Sequence, residues 1–208
     1  MTGLTAPFVA RARHRMLVDG QGVTTLVCFH GCSLRCHWCL NPFTLDPSTK
    51  KEMLTPRELY EKVRIDELYF LATGGGVTFG GGEPLLYSDF LREFRGICGT
   101  DWHLCAETAL NVPWENVARV ADCIDHFYID CKDTDPDIYL RYTGQDNARM
   151  LDNLRRLLEI TDPERITVRV PLIPGFNTEE DQIRSRNLLQ NMGVVNFDLF
   201  TYKTTDTV

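Results

Sequence analysis

Residues 24–39 run Thr24-Thr25-Leu26-Val27-Cys28-Phe29-His30-Gly31-Cys32-Ser33-Leu34-Arg35-Cys36-His37-Trp38-Cys39. The first six are β-branched, apolar or aromatic, the pattern of a buried strand. The remainder is a loop that carries three thiols within eight residues. Working outward, further strands are expected at 77–79, 102–106, 126–130, 166–171 and 195–200. Helical stretches separate them. Thr55-Pro56-Arg57-Glu58 is a capping box with Pro at the first helical position, opening a helix to about Leu71. Others are expected at 88–97, 114–122 and 150–160, and Thr178 caps one that runs to about Asn191. Strands alternating with helices in this way imply right-handed βαβ units and a parallel sheet. A full barrel takes eight such units in about 250 residues. This chain has six in 208, which leaves an open, partial barrel or a doubly wound sheet with outer helices. In both, ligands sit at the carboxyl ends of the strands, where the thiols fall.

Composition narrows the class. The chain has 22 Lys and Arg against 29 Asp and Glu, a formal net charge of −7, which argues against a nucleic-acid binder. No apolar run approaches the roughly 18 residues of a membrane span. Arg11, Arg13 and Arg15 interrupt any signal-peptide core. The expectation is a cytoplasmic protein with one domain over residues 1–208. In that setting eight cysteines do not read as four disulfides. Three of them make one metal site. The other five, Cys28, Cys98, Cys105, Cys123 and Cys131, are expected as buried thiols.

Two motifs carry chemistry. Cys32-x-x-x-Cys36-x-x-Cys39 offers three soft thiolates, suited to an iron–sulfur cluster or zinc. Three cysteines on a 4Fe–4S cube leave one iron open to bind a further ligand. The alternative is structural zinc with His30 or His37 as fourth ligand, although no second short-spaced ligand pair is present. The other motif is Gly74-Gly75-Gly76-Val77-Thr78-Phe79-Gly80-Gly81-Gly82-Glu83-Pro84. It is neither a P-loop nor a dinucleotide fingerprint. Glycines after a strand let backbone approach a ligand, and Glu83 adds an acid fit for a cationic amine.

With both motifs in one βα chain, the sequence resembles the radical S-adenosylmethionine (SAM) superfamily, whose cluster motif is CxxxCxxC and whose SAM-amine motif is Gly-Gly-Glu-Pro, here residues 81–84. Within it, residues 29–42, Gly75–Phe79, Glu107-Thr108, Asp130-Cys131-Lys132, 142–147 and 169–177 resemble the glycyl-radical-enzyme activating enzymes. The resemblance runs from about Asp19 to Tyr202. It implies a partial (β/α)6 barrel with a cluster loop at 30–42 and a SAM-binding loop at 80–84. Cys32, Cys36 and Cys39 would hold one 4Fe–4S cluster, and Gly81, Gly82 and Glu83 would receive the SAM amine. Glu107, Thr108, Asp130, Lys132 and Arg169 would line the rest of the SAM site, Trp38 would shield the cluster, and Asp19 would act beside the reacting partner. The implied reaction is reductive cleavage of SAM to methionine and a 5′-deoxyadenosyl radical, which takes hydrogen from a glycine of a partner glycyl radical enzyme. A flavodoxin or ferredoxin would supply the electron under anaerobic conditions, and no nucleic acid or membrane takes part. The activating enzyme would be a monomer that docks transiently.

The departures are informative. Residues 40–82 contain no cysteine, so the ferredoxin-like insert of many relatives is not expected and one cluster suffices. Asp19-Gly20-Gln21-Gly22 has Gln where the family pattern has Pro. Where relatives read Leu-Pro-Tyr-His, this chain has Leu199-Phe200-Thr201-Tyr202-Lys203, and the Lys203 ammonium is expected to replace a monovalent cation near Glu107 and Asp130. The chain ends soon after, so a wider barrel mouth is expected. Cys105 and Cys131, neighbours of site residues on strands, are expected to point outward against helices. The competing functions are a radical SAM enzyme acting on a peptide or small molecule, and an iron–sulfur electron carrier or sensor, which needs no Gly-Gly-Glu loop.

Overall fold

The computed structural model describes residues 3–202. The strands are β1 (Ala6–Met16), β2 (Val23–Phe29), β3 (Glu52–Leu54), β4 (Gly76–Gly81), β5 (His103–Thr108), β6 (His126–Asp130), β7 (Ile166–Leu172) and β8 (Asn196–Thr201). The helices are α1 (Pro56–Val63), α2 (Glu67–Thr73), α3 (Ser88–Cys98), α4 (Trp114–Val120), α5 (Pro136–Thr143), α6 (Ala148–Ile160) and α7 (Glu179–Asn191). All eight strands form one open sheet in the order β3-β1-β2-β4-β5-β6-β7-β8. From β2 to β8 every neighbour is parallel, as expected for an open, partial (β/α)6 barrel.

Three elements lie outside the expectation. β1 and β3 add an antiparallel flank, β1 pairing with β2 and with β3. The expected helix from Pro56 to about Leu71 is divided by a 3-10 turn at Arg64–Asp66. That turn carries the fully buried Asp66 carboxylate to Arg13, His14 and Thr25, whose side chains all donate or bond to it. The acidic stretch 133–137 reads in sequence as a solvated helix start, and it opens α5, with Asp135 accepting from Asp137 and Ile138 N–H and Pro136 in the first position. The capping box of Thr55 with Glu58 forms as the sequence indicated, and the expected cap at Thr178 also closes a box with Asp181.

Strand alternation divides the molecule into two faces. Val77, Phe79, Leu104, Ala106, Phe127, Ile129, Val168 and Val170 enter the core beneath the helices. Phe29, Phe79, Phe90, Phe94 and Trp102 are among its largest members, each worth about 1.5–3 kcal/mol in removed apolar surface. The intervening residues turn to the concave face, including Glu107, Asp130 and Arg169. Cys131 packs in the helix-side core as expected, but Cys105 does not. It shares strand parity with Glu107, so its thiol points to the concave side, where Gly20 and Thr78 pack around it and His103 Nδ1 lies 3.3 Å away. Of the five cysteines outside the motif, Cys98 alone is half-buried rather than buried.

Candidate active site

The thiol loop follows β2 without regular structure and is held by its backbone. His30 N–H donates to Pro7 O, and Gly31 N–H to Thr44 O. Arg35 N–H donates to Thr143 O (2.8 Å) and His37 N–H to Tyr142 O (2.9 Å), so the two residues flanking Cys36 are docked on α5. The Gly-Gly-Glu loop is tied to the same segment. Gly82 N–H donates to Phe29 O (3.0 Å) and Glu83 N–H to Gly31 O (2.8 Å). A Cβ at Gly82 would lie 2.1 Å from Gly31 O, and one at Gly81 2.4 Å from Cys28 Cβ. These glycines therefore allow the two loops to touch each other, which leaves Glu83 as the group that faces a ligand.

Cys32, Cys36, Cys39, Gly81, Gly82 and Glu83 line one cavity of about 420 Å³, together with Asp19, Glu107, Thr108, Asp130, Lys132 and Arg169. Glu83 is almost fully buried and accepts three hydrogen bonds, from Thr108 Oγ1 (2.7 Å), Ala109 N–H (3.0 Å) and Leu85 N–H (3.1 Å). Burial nevertheless pushes its pKa up to about 7, because the three donors offset only part of the desolvation. A buried carboxylate in that condition is an incomplete pair, and a ligand cation completes it.

Across the cavity the sheet register assembles a second charge array. Glu107 lies beside Tyr128, and Asp130 beside Arg169. Arg169 donates through Nη1 to Glu107 Oε1 (2.9 Å) and through Nε to Asp130 Oδ1 (2.8 Å). Lys132 Nζ donates to Asp130 Oδ2 (3.1 Å). Burial works against the Asp130 charge, yet Arg169 and Lys132 hold its pKa below the usual range. Among the described residues Glu107 has one cationic hydrogen-bond partner, and its pKa is raised, chiefly by burial. At the mouth, Asp19 is clasped by Arg15 through Nε and Nη2, and Thr78 Oγ1 donates to the Asp19 carbonyl. Arg15, Phe200 and Tyr202 also line the cavity and were not assigned from sequence. The i,i+4 spacing of Arg15 and Asp19 was the one available sign of their pairing.

Two expected site residues need separate statements. Trp38 does not line the cavity; it packs on a small apolar cluster of Tyr142, Ile173 and Tyr202 beside Cys36. Lys203 lies outside the described residues.

The donor set fits a 4Fe–4S cluster held by three thiolates. Among the described residues no three His, Cys, Asp or Glu side chains converge to hold a single ion. The three thiols line one cavity, and a cluster would take one thiolate on each of three irons. Burial raises the pKa of the free Cys32 thiol to about 12, so a metal must displace its proton. Buried polar groups almost always have hydrogen-bond partners. Among the described residues five buried side-chain atoms have none, and four of these, Ser33 Oγ, Trp38 Nε1, Tyr139 Oη and Tyr142 Oη, sit on the thiol loop or on α5. All four are donors that have no acceptor among the described residues and sit on or against the loop that would hold the cluster.

Residues 26–185 match the family described as the Radical SAM superfamily. The pyruvate formate-lyase-activating enzyme of Clostridium pasteurianum is 34% identical, over 90% of this chain and 79% of its own. The indoleacetate decarboxylase activating enzyme of Tractidigestivibacter scatoligenes is 30% identical, over 79% of this chain and 73% of its own. Among solved structures, QueE from Escherichia coli superposes with a TM-score of 0.57 at 13% identity, covering 97% of this chain and 85% of that one, a likeness of fold. The chain belongs to the radical SAM superfamily and, within it, to the glycyl-radical-enzyme activating enzymes, which use a 4Fe–4S cluster and SAM. No helix among the described residues is long and apolar enough to cross a membrane.

Proposed function

We propose that this radical SAM protein installs a glycyl radical on a partner enzyme, with the cavity between the thiol loop and Glu83 as the place where SAM is held. The observation that carries this reading is the pair of backbone hydrogen bonds, Gly82 to Phe29 and Glu83 to Gly31, that fixes the Gly-Gly-Glu loop against the thiol loop. Cys32, Cys36 and Cys39 would hold the cluster. When bound, the cluster supplies one electron that splits a carbon–sulfur bond of SAM, releasing methionine and a 5′-deoxyadenosyl group that takes hydrogen from a glycine Cα.

The chain's own residues do the positioning. Glu83, steadied by Thr108, Ala109 and Leu85, receives the ammonium of the amino-acid end. Lys132 and Arg169 offer cationic groups to its carboxylate and ribose, while Glu107 and Asp130 keep both side chains in place. Asp19, set by Arg15, stands at the mouth where a partner loop enters. The partner class is a glycyl radical enzyme that binds transiently to a monomer of this chain. The electron donor is a flavodoxin or ferredoxin.

The test is anaerobic incubation of the cluster-loaded chain, SAM and reductant with candidate glycyl radical enzymes, followed by electron paramagnetic resonance. A doublet signal from a backbone glycine radical is the expected result. SAM cleavage without that signal on any such enzyme, but with hydrogen drawn from a small molecule or peptide, would replace this reading.

A further inference from the structure

Tyr139 is fully buried, yet its hydroxyl has no hydrogen-bond partner among the described residues. Leaving a buried hydroxyl unpaired costs roughly 1–3 kcal/mol, and Phe in the same place would avoid that cost. A Tyr therefore points to an acceptor that the described residues do not provide. The ring's position is well determined. Asp135 caps α5, Tyr139 N–H donates to Asp135 O (3.0 Å), and the end of α5 receives the amides of Arg35 and His37 on either side of Cys36. The ring packs in the same core against which Cys32 and Cys36 rest. A phenol keeps its proton at neutral pH. The hydroxyl is therefore a buried donor on the helix that docks both neighbours of Cys36.

We propose that Tyr139 donates its O–H to a sulfur of the cluster held by Cys32, Cys36 and Cys39, and so makes the cluster easier to reduce. The inference rests on the function proposed above. Hydrogen bonds to cluster sulfurs are among the levers that set reduction potential. The sign follows from charge: reduction makes the sulfurs more negative, and a donor stabilises the more negative state. Glu83 is the other candidate acceptor, but its oxygens already accept from Thr108, Ala109 and Leu85. Tyr139 is therefore a positioning residue for the electron, acting through the cluster and touching neither SAM nor the partner.

Tyr139→Phe removes one oxygen and keeps the ring. The loaded chain, checked for iron and sulfide content, is titrated against redox mediators without SAM, with the reduced cluster followed by electron paramagnetic resonance. At a fixed poise the ratio of reduced to oxidised cluster is expected to fall about tenfold, which is ~59 mV for a one-electron couple. A ratio unchanged within about twofold in a fully loaded variant overturns the proposal. An unchanged potential with weakened SAM binding also overturns it, assigning the hydroxyl to SAM or Glu83. The unmodified chain gives a second measurement that does not depend on the variant. Electron–nuclear double resonance of its reduced cluster should show a coupled proton that exchanges in D2O, and Tyr139→Phe should lose it. Absence of such a proton in the unmodified chain contradicts the proposal. Failure of the unmodified chain to load a cluster would instead contradict the proposed function.

Discussion

Thr108 Oγ1 donates to Glu83 Oε1 over 2.7 Å, joining the end of β5 to the loop after β4 at the bottom of the SAM cavity. The same hydroxyl accepts from Leu110 N–H (2.9 Å), so its one proton is committed to Glu83. Replacing it with Thr108→Val removes a charge-assisted donor from a buried carboxylate while keeping side-chain volume. Such bonds are worth about 1.5–3 kcal/mol. SAM affinity should fall roughly tenfold or more by anaerobic calorimetry on the loaded chain, and Thr108→Ser should recover most of it. An unchanged Kd in Thr108→Val would show that Glu83 does not receive the ligand.

The pH dependence of binding follows from the raised pKa of Glu83. In the free protein the uncharged carboxyl dominates below about 7, whereas the ammonium-bound form is ionised. Binding below that pH must expel a proton, so affinity falls as pH falls and levels off above it. The Kd for SAM should rise about tenfold per unit below the free-state pKa. Calorimetry in buffers of different ionisation enthalpy should also register proton release. A flat profile from pH 5.5 to 8 would contradict this assignment.

Arg169 is the sole cationic hydrogen-bond partner of Glu107 among the described residues and one of two for Asp130. Arg169→Met should leave both carboxylates in a largely buried site with Lys132 alone to offset them. The expected loss is roughly 3 kcal/mol at pH 8, the lower end for breaking a buried pair. The sign with pH is that of an ordinary acid-labile ion pair. Removing the guanidinium raises the Asp130 pKa from below its usual range and the Glu107 pKa further above its own, so the variant's deficit is largest when both are ionised and shrinks as pH falls and they protonate. Denaturant melts at pH 8 and 5.5 measure this, and a deficit that grows on acidification would refute it.

Two glycine substitutions separate contact from flexibility. Gly82→Ala places a methyl 2.1 Å from Gly31 O and should part the two loops, lowering both iron incorporation and SAM binding. Gly96→Ala lies within α3 and meets nothing within 4 Å. It should stabilise the chain by about 0.5–1 kcal/mol through helix propensity and leave iron content unchanged. Equal behaviour of the two variants would rule out loop contact as the reason for Gly82.

The parts of the fold legible in sequence are those decided locally. Strands read from short apolar runs, and Thr55 and Thr178 announce helices because their caps need only the next three residues. β1 escaped notice because the apolar residues in its middle are small. Ala10 and Ala12 alternate with Arg11 and Arg13, a period of two that the charges obscure. Only the start of α5 is legible, from an acidic stretch in which Asp135-Pro136 is a cap followed by a helix-starting Pro. The break at 64–66 was not legible, because it depends on Asp66 meeting Arg13, His14 and Thr25 from strands far away in the chain.

The site divides along the same line. The cysteines and Glu83 are legible because their spacing is contiguous. Glu107, Asp130 and Arg169 become one array only through the register of β5, β6 and β7. Cys105 was misjudged by comparing it with its immediate neighbours, when the residue two places on, Glu107, shares its face. The clasp of Arg15 on Asp19 depends on the turn between β1 and β2.

The central claim is that the thiol loop and Glu83 together bind and cleave SAM. It is tested most directly by reconstituting the chain anaerobically with iron and sulfide, reducing it with dithionite, adding SAM and quantifying 5′-deoxyadenosine. The account predicts 5′-deoxyadenosine and methionine in equal amounts, and neither from Cys36→Ala. A reduced, fully loaded cluster that yields no 5′-deoxyadenosine and whose resonance spectrum does not change on adding SAM would contradict it.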